Sequence, residues 1–327
     1  MTSLPSGREP LSDPEGVFET ILSGSVDDAE IARFLIELSD RGETVDEIVG
    51  AASALRCHMI AVSAPEGAVD VCGTGGDGAH TRNISTAVAI LVAAAGVPVA
   101  KHGNRAASSK SGAADVLSAL GLNLDLPPAR VEASVCEIGI GFLFAARHHP
   151  VMARVAPVRR ALRRRTIFNL LGPLANPANV SRQLVGVFDE ALTAPMAQAL
   201  GRLGGDRAWV VHGEGSLDEL SVLGSSKVSA LEAGKVRTHD VHPADAGLST
   251  FAAVDIRGGT PEENAAALER LLDGEPGGYR DIVLMNAGAA LVVAGRGETL
   301  ADGVRLAQSA LDSGEARDKL DQWRRFA

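Results

Sequence analysis

The chain has 327 residues, of which 46% are hydrophobic and 22% charged, and a formal charge of −10. That length fits about two domains, and the apolar share supports a buried core and excludes a disordered chain. With aromatics at only 3% in an acidic chain, a general nucleic-acid binder is not expected, so any anionic ligand needs a local cluster of donors.

The N-terminal stretch is polar and carries no apolar signal-peptide core. The next residues read as helices. Asp13 caps the first, with Pro14 in its first turn and Gly24 past its end. Ser25 followed by Asp28 starts the second, where Ile31, Phe34, Leu35 and Leu38 share one face and Gly42 ends the run. Thr44 and Glu47 form a capping box for a third, with Ile48, Ala51, Ala52, Leu55 and Met59 apolar. Residues 65–67 read as a hinge, which places a helical domain at 1–66 and a second domain at 67–327. A returning helical segment near 150–180 is expected to join the first domain.

After the hinge the pattern alternates. Strands are predicted at 69–72 and 97–100, and helices at 85–95 and 112–120. Later strands are predicted at 183–187, 208–211 and 228–231. Thr260, Pro261 and Glu263 open an amphipathic helix ending near Gly274, and residues 281–294 and 298–311 read as closing helices. This alternation implies an α/β domain with a mainly parallel sheet. The longest apolar run, 87–100, is too short to span a bilayer and contains Gly96 and Pro98, so a cytoplasmic protein without membrane contact is expected. Cys57, Cys72 and Cys136 form no CxxC pair and suggest neither a disulfide framework nor a zinc site. Cys72 reads as a small buried apolar residue.

The chemistry concentrates in two loops. Gly73-Thr74-Gly75-Gly76-Asp77-Gly78 fits GxGxxG, but no acid lies between Asp77 and Asp115 to hold a ribose hydroxyl, which excludes the dinucleotide reading. No Walker A glycine-lysine-hydroxyl sequence is present. What remains is a glycine turn running into a helix start, an arrangement that attracts phosphate, with Asn83, Ser85 and Thr86 as added donors. The second loop, after the strand at 97–100, carries Lys101, His102, Asn104, Arg105, Ser108, Ser109 and Lys110. Ligand sites of open α/β sheets form at such positions. Asp218 and Glu219 follow a third strand in a glycine-rich loop and suit hydrated Mg²⁺, which keeps waters and needs few protein ligands. Arg159, Arg160, Arg163, Arg164 and Arg165 read mostly as a solvated helix face, with one or two available to fork onto a carboxylate or phosphate. His148-His149-Pro150 lacks metal-site spacing.

Together these motifs resemble the anthranilate phosphoribosyltransferases of tryptophan biosynthesis. The matching stretches are DVCGTGGDGAHTRNIST, KHGNRAASSKSGAADVLSALG, GIGFLFAARHHPVMARVAPVRR, RTIFNLLGPLANP and VHGEGSLDELS, in the family's order over nearly the whole chain. The resemblance implies a small helical domain plus a large α/β domain, similar to the nucleoside phosphorylases. It also implies a homodimer through the helical domains, and transfer of phosphoribose from 5-phosphoribosyl 1-diphosphate to anthranilate. By the same resemblance Gly73, Gly76, Asp77, Asn83, Ser85, Thr86, Lys101 and Ser109 contact the phosphoribosyl donor, with Thr81, Arg105, Ala106, Ala107, Ser108 and Ala113 along that pocket. Ser85, Asp218 and Glu219 serve magnesium, about two ions per subunit. Gly73, Asn104 and Arg159 contact anthranilate, with His102 nearby. Ala113, Ala146 and Arg163-Arg164 depart from the family pattern. A pyrimidine nucleoside phosphorylase and a non-catalytic nucleic-acid-binding relative are the competing readings.

Overall fold

The computed structural model describes residues 3–106 and 110–327. The helical N-terminus forms α1 (Pro14–Leu22), α2 (Asp28–Arg41) and α3 (Val45–Cys57). Asp13 caps α1 through Gly16 N–H, and the Thr44–Glu47 capping box closes on α3. The cap of α2 is Asp27 and not Ser25: Asp27 accepts from Glu30 N–H, while the Ser25 hydroxyl donates back to Thr20 C=O. A carboxylate next to the first turn also complements the helix dipole, which favours Asp27.

The larger region is built on a seven-stranded sheet of order β3-β2-β1-β4-β5-β6-β7. Its first part runs β1 (Val69–Gly73), α4 (Ile84–Ala94), β2 (Val99–Gly103), α5 (Ala113–Ala119), α6 (Pro128–Ile138) and β3 (Ile140–Phe144). The chain then makes the short helices α7 (Ala145–His148), α8 (Ala156–Leu162) and α9 (Leu171–Leu174). It returns as β4 (Arg182–Gly186), α10 (Thr193–Arg202), β5 (Arg207–Gly213), β6 (Ser226–Glu232) and β7 (Lys235–Val241). The last helices are α11 (Pro261–Leu272), α12 (Gly278–Val293), α13 (Leu300–Asp312) and α14 (Glu315–Phe326). Strands β3, β2, β1, β4 and β5 are parallel, and β6 and β7 pair antiparallel, so the mainly parallel expectation holds.

Six elements are absent from the sequence reading: α6, β3, α7, α10, β7 and α14. The edge strand β7 is mostly exposed and polar, so it has no apolar alternation to reveal it. Helix α14 is strongly polar overall and buries only Ala316, Leu320 and Trp323. The strand expected at 97–100 is shifted to Val99–Gly103, which carries Lys101 and His102 into the sheet.

Two large cores flank the sheet. On one face the almost wholly buried helices α4 and α12 pack with α11, α13 and α14. On the other, Phe18, Phe34 and Ile48 of the N-terminal helices pool with Val158, Ile167, Leu174, Val185 and Leu200. The segment at 150–180 packs with the N-terminal helices, against β4, β5 and α10. The strand order reverses between β1 and β4, which creates a crevice at their carboxyl ends.

Candidate active site

That crevice is made roomy by glycine. β1 ends at Gly73, β4 at Gly186 and β5 at Gly213, and the loop after β5 folds back across all three. A Cβ on Gly73 would stand 2.3 Å from Asp218 Oδ2, one on Gly186 1.5 Å from Asp218 O, and one on Gly213 2.5 Å from Glu219 O. Asp218 and Glu219 therefore reach the β1/β4 crevice only because three strand ends lack side chains. Gly73 was expected from the sequence. Gly186 and Gly213 were not, since nothing local in the sequence relates them to residue 218.

The first loop meets the acid pair directly. Gly75, Gly76 and Gly78 have φ of +67°, +72° and +78°, left-handed values that favour glycine. The Gly75 N–H donates to Asp218 Oδ2 at 2.7 Å. Burial, then the neighbouring Asp77, push the Asp218 carboxyl up to about 7. Glu219 is raised well above its ordinary value by burial and by Asp218. Three acids thus crowd one spot, with Lys101 as the countercharge. Among the described residues no three His, Cys, Asp or Glu side chains form a ready-made metal cage. An excess of hard oxygen donors without a closed cage fits Mg²⁺ held partly by water and by substrate phosphate.

Lys101 lies beneath the crevice and not within it. It is 1% exposed, and its ammonium donates to Val71 C=O at 2.7 Å and Ser85 Oγ at 3.1 Å. Its partner in charge is Asp70, fully buried on β1, whose carboxyl accepts from His102 N–H at 3.0 Å. Asp70 was missed by the sequence reading. A lone acid inside a predicted buried strand was the signal, because such a charge needs a cation. Ser85 connects this buried pair to the start of α4. Thr86 is fully buried, and its hydroxyl has no partner among the described residues.

Asn83 is the residue preceding α4, yet its side chain does not cap the helix. Its Oδ1 accepts from Ser111 Oγ at 3.1 Å and from Asn264 Nδ2 at 2.9 Å, and its Nδ2 donates to Ser111 C=O at 3.2 Å. Asn83 thereby ties the glycine loop to the second loop and to α11. Thr81 bridges Arg257 nearby.

In the second loop Asp115 is the organiser. It accepts from Ala106 N–H and Gly112 N–H, each at 3.0 Å, and pairs with Arg105 at 2.9 Å. Burial opposes ionisation of Asp115, but these donors outweigh it and hold the carboxyl below its usual range. Arg105 is thus committed to Asp115 and to the Phe144 ring. Asn104 accepts from the next backbone N–H and is exposed, and Ala113 opens α5. Ala107, Ser108 and Ser109 lie outside the described residues.

The segment after β3 closes the other side. His102 Nδ1 faces Gly172 C=O at 2.9 Å, its Nε2 has no hydrogen-bond partner among the described residues, and its ring lies 5.1 Å from that of His149. Burial lowers the imidazoles to about 4 for His102 and about 3 for His149. The basic run is not one helix face: α8 ends at Leu162, and Arg163 turns left-handed at φ +48°. Arg164 pairs with Asp40. Arg165 donates to Gly76 C=O and stacks 4.1 Å from the Phe188 ring, fastening this segment to the glycine loop. Arg159 is half-buried beside Phe168, and burial lowers its pKa. No acid among the described residues forms an ion pair with it.

This arrangement has close counterparts. Residues 65–317 match the α/β domain of the glycosyl transferase family, and residues 12–59 match its helical bundle domain. The anthranilate phosphoribosyltransferase of Rhodospirillum rubrum is 56% identical over 317 residues, covering 96% of this chain and 91% of that one. That of Azorhizobium caulinodans is 55% identical over 305 residues, covering 93% and 89%. The chain belongs to the anthranilate phosphoribosyltransferase family. The crystal structure of the Thermus thermophilus member superposes with a TM-score of 0.93 at 45% identity, covering 97% of this chain and 96% of that one. The Saccharomyces cerevisiae enzyme, solved in complex with PRPP and Mg, gives 0.87 at 27% identity, covering 96% and 92%. The small helical domain and large, mainly parallel α/β domain are therefore those of the family.

Proposed function

We infer that the chain transfers the phosphoribosyl group of 5-phosphoribosyl 1-diphosphate to the amine of anthranilate, releasing pyrophosphate, in tryptophan biosynthesis. The observation that carries this is the Asp218–Glu219 pair, laid over glycine strand ends and bonded to the phosphate-type loop. A nucleoside phosphorylase has no need of that acid pair, since phosphate is its nucleophile.

In this reading the N–H groups of the glycine loop and the start of α4, with Ser85 and Thr86, receive the donor's phosphates. Mg²⁺, when bound with the substrate, neutralises charge on the departing diphosphate. Asp218, Glu219 and Ser85 are the groups that hold it, and the fixed N–H dipoles add electrostatic stabilisation as the C1–O bond breaks. Lys101 acts from below, keeping Ser85 oriented and the acid cluster partly compensated. Arg159 takes the anthranilate carboxylate, with Asn104 and Gly73 orienting the ring and His102 alongside. The amine attacks in its neutral form and gives up its proton to water or pyrophosphate afterwards. Two magnesium ions per subunit, pairing of two chains through the helical domain and a cytoplasmic location belong to the same proposal, as does the division at residues 66 and 67. Sedimentation of the protein tests the pairing: a single-chain mass would refute it.

The direct test is fluorescence. Anthranilate emission falls when the protein, the diphosphate donor and Mg²⁺ are combined, and each omission abolishes the change. Turnover of uridine with phosphate instead, and none with anthranilate, would refute the assignment.

A further inference from the structure

The acid pair has a backbone that must be held as firmly as its side chains. The residue after it, Leu220, donates its N–H to Asn286 Oδ1 at 2.9 Å and accepts from Asn286 Nδ2 at 2.9 Å. Asn286 lies in the middle of α12, fully buried among Val283, Leu284, Met285, Ala289 and Ala290. Its Nδ2 also donates to Ile282 C=O within the helix at 2.8 Å.

An amide at this place is costly unless its bonds are made, and an apolar residue would suit the packing of α12 better. Its two bonds to one residue lock the peptide units on both sides of Leu220, as a strand pairing would. The loop has little freedom elsewhere: Gly186 and Gly213 lie in contact with the carbonyls of Asp218 and Glu219. The strand ends block drift toward them, and the Asn286 clamp opposes drift away from them.

We propose that Asn286 is a positioning residue for the reaction: by clamping both polar groups of Leu220 it sets where the Asp218 and Glu219 carboxylates stand toward the metal-bound diphosphate. This rests on reading that pair as the magnesium-binding acids.

The test begins with unmodified, metal-free protein. Amide hydrogen exchange finds Leu220 protected to the level of the α12 core, and a rapidly exchanging Leu220 overturns the clamp before any variant is made. Two variants follow. Asn286→Ser places a hydroxyl that bonds Ile282 C=O within the helix but is too short to reach Leu220. Asn286→Asp keeps the acceptor for Leu220 N–H and loses the donor. In both, metal-free exchange at residues 218–220 rises about tenfold while the α12 core stays protected. The Mg²⁺ concentration for half-maximal turnover rises about fivefold or more, the scale of one lost buried hydrogen bond, and the anthranilate KM stays within about twofold. A wild-type Mg²⁺ requirement in either folded variant overturns the proposal. So does a uniform loss of protection across α12 with both substrate KM values rising together, because that marks a merely structural amide. Asp218→Asn serves as the reference. If it too leaves the Mg²⁺ requirement untouched, the metal assignment of the pair fails, and the exchange result alone still decides the clamp.

Discussion

The two sides of the cleft fail to satisfy themselves in opposite ways. On the side of β1, β4 and β5, Asp77, Asp218 and Glu219 crowd together until Asp218 is raised to about 7, with the buried Lys101 as countercharge. On the side closed by residues 145–175, Arg159 is half-buried with no ion-pair partner among the described residues, and its charged form is disfavoured by burial. One side lacks a cation and the other lacks an anion. Such imbalances cluster where a ligand restores them. Under the proposed function the acidic side takes the metal-chelated diphosphate and the arginine side the carboxylate.

The largest expected effect breaks the acidic side by sterics alone. Gly186→Ala puts a methyl where Asp218 O now lies, and turnover falls roughly 100-fold or more as the acid pair is displaced. Gly172→Ala, whose added Cβ meets nothing within 4 Å, serves as the control and stays near wild type in steady-state assays. Next, Arg159→Ala raises the anthranilate KM roughly 10- to 50-fold, the scale of a hydrogen bond to a charged group, and leaves the KM of the diphosphate donor nearly unchanged. Equal rises in both would merge the two sides into one.

A third prediction sharpens the contrast through pH. The Asp218 carboxyl is raised to about 7, and in its proposed role it must lose its proton to bind metal, so the half-saturating Mg²⁺ concentration climbs as pH falls below 7, approaching about tenfold per unit. In the metal-free protein the same group withdraws stability as pH rises from its ordinary value of 3.8 toward about 7, and thermal melts in the presence of Mg²⁺ recover it. The smallest effect lies on the other side. His102 and His149 are buried neutral, at about 4 and about 3, so their contribution is complete above 6.5 and is lost as pH falls through those values. His149→Phe therefore reduces the drop in Tm on acidification from pH 6.5 to 4 by about 2–4 °C. An unchanged drop would show that other groups govern the acid transition.

The legibility of the site followed the range of the interactions. The glycine loop and the Asp218-Glu219 pair are local strings, and their residue types announce phosphate and metal chemistry. Asp70 and Asn286 were not read, because each is a single polar residue in an apolar element. Its meaning depends on a partner dozens of residues away: Lys101 for the first, Leu220 for the second. Asp115 was noticed only as the point where acids resume, since its role is to fold back on Ala106 and Gly112. Asn83 was read as a helix-start donor, but the structure spends its amide on Ser111 and Asn264. In the fold, β7 and α14 escaped for the opposite reason: both are polar, and periodicity detects only what is buried.

By itself the sequence determined the capped helices, the alternation of strand and helix, and the chemical character of the loops. These depend on neighbours within a few residues, where hydrogen bonds and burial periodicity act. Only the tertiary structure decided that Gly73, Gly186 and Gly213 share one edge, that Lys101 sits beneath the crevice, and that Arg165 fastens one side to the other. Those facts come from the order in which strands pair, and strand order is settled by packing across the whole sheet.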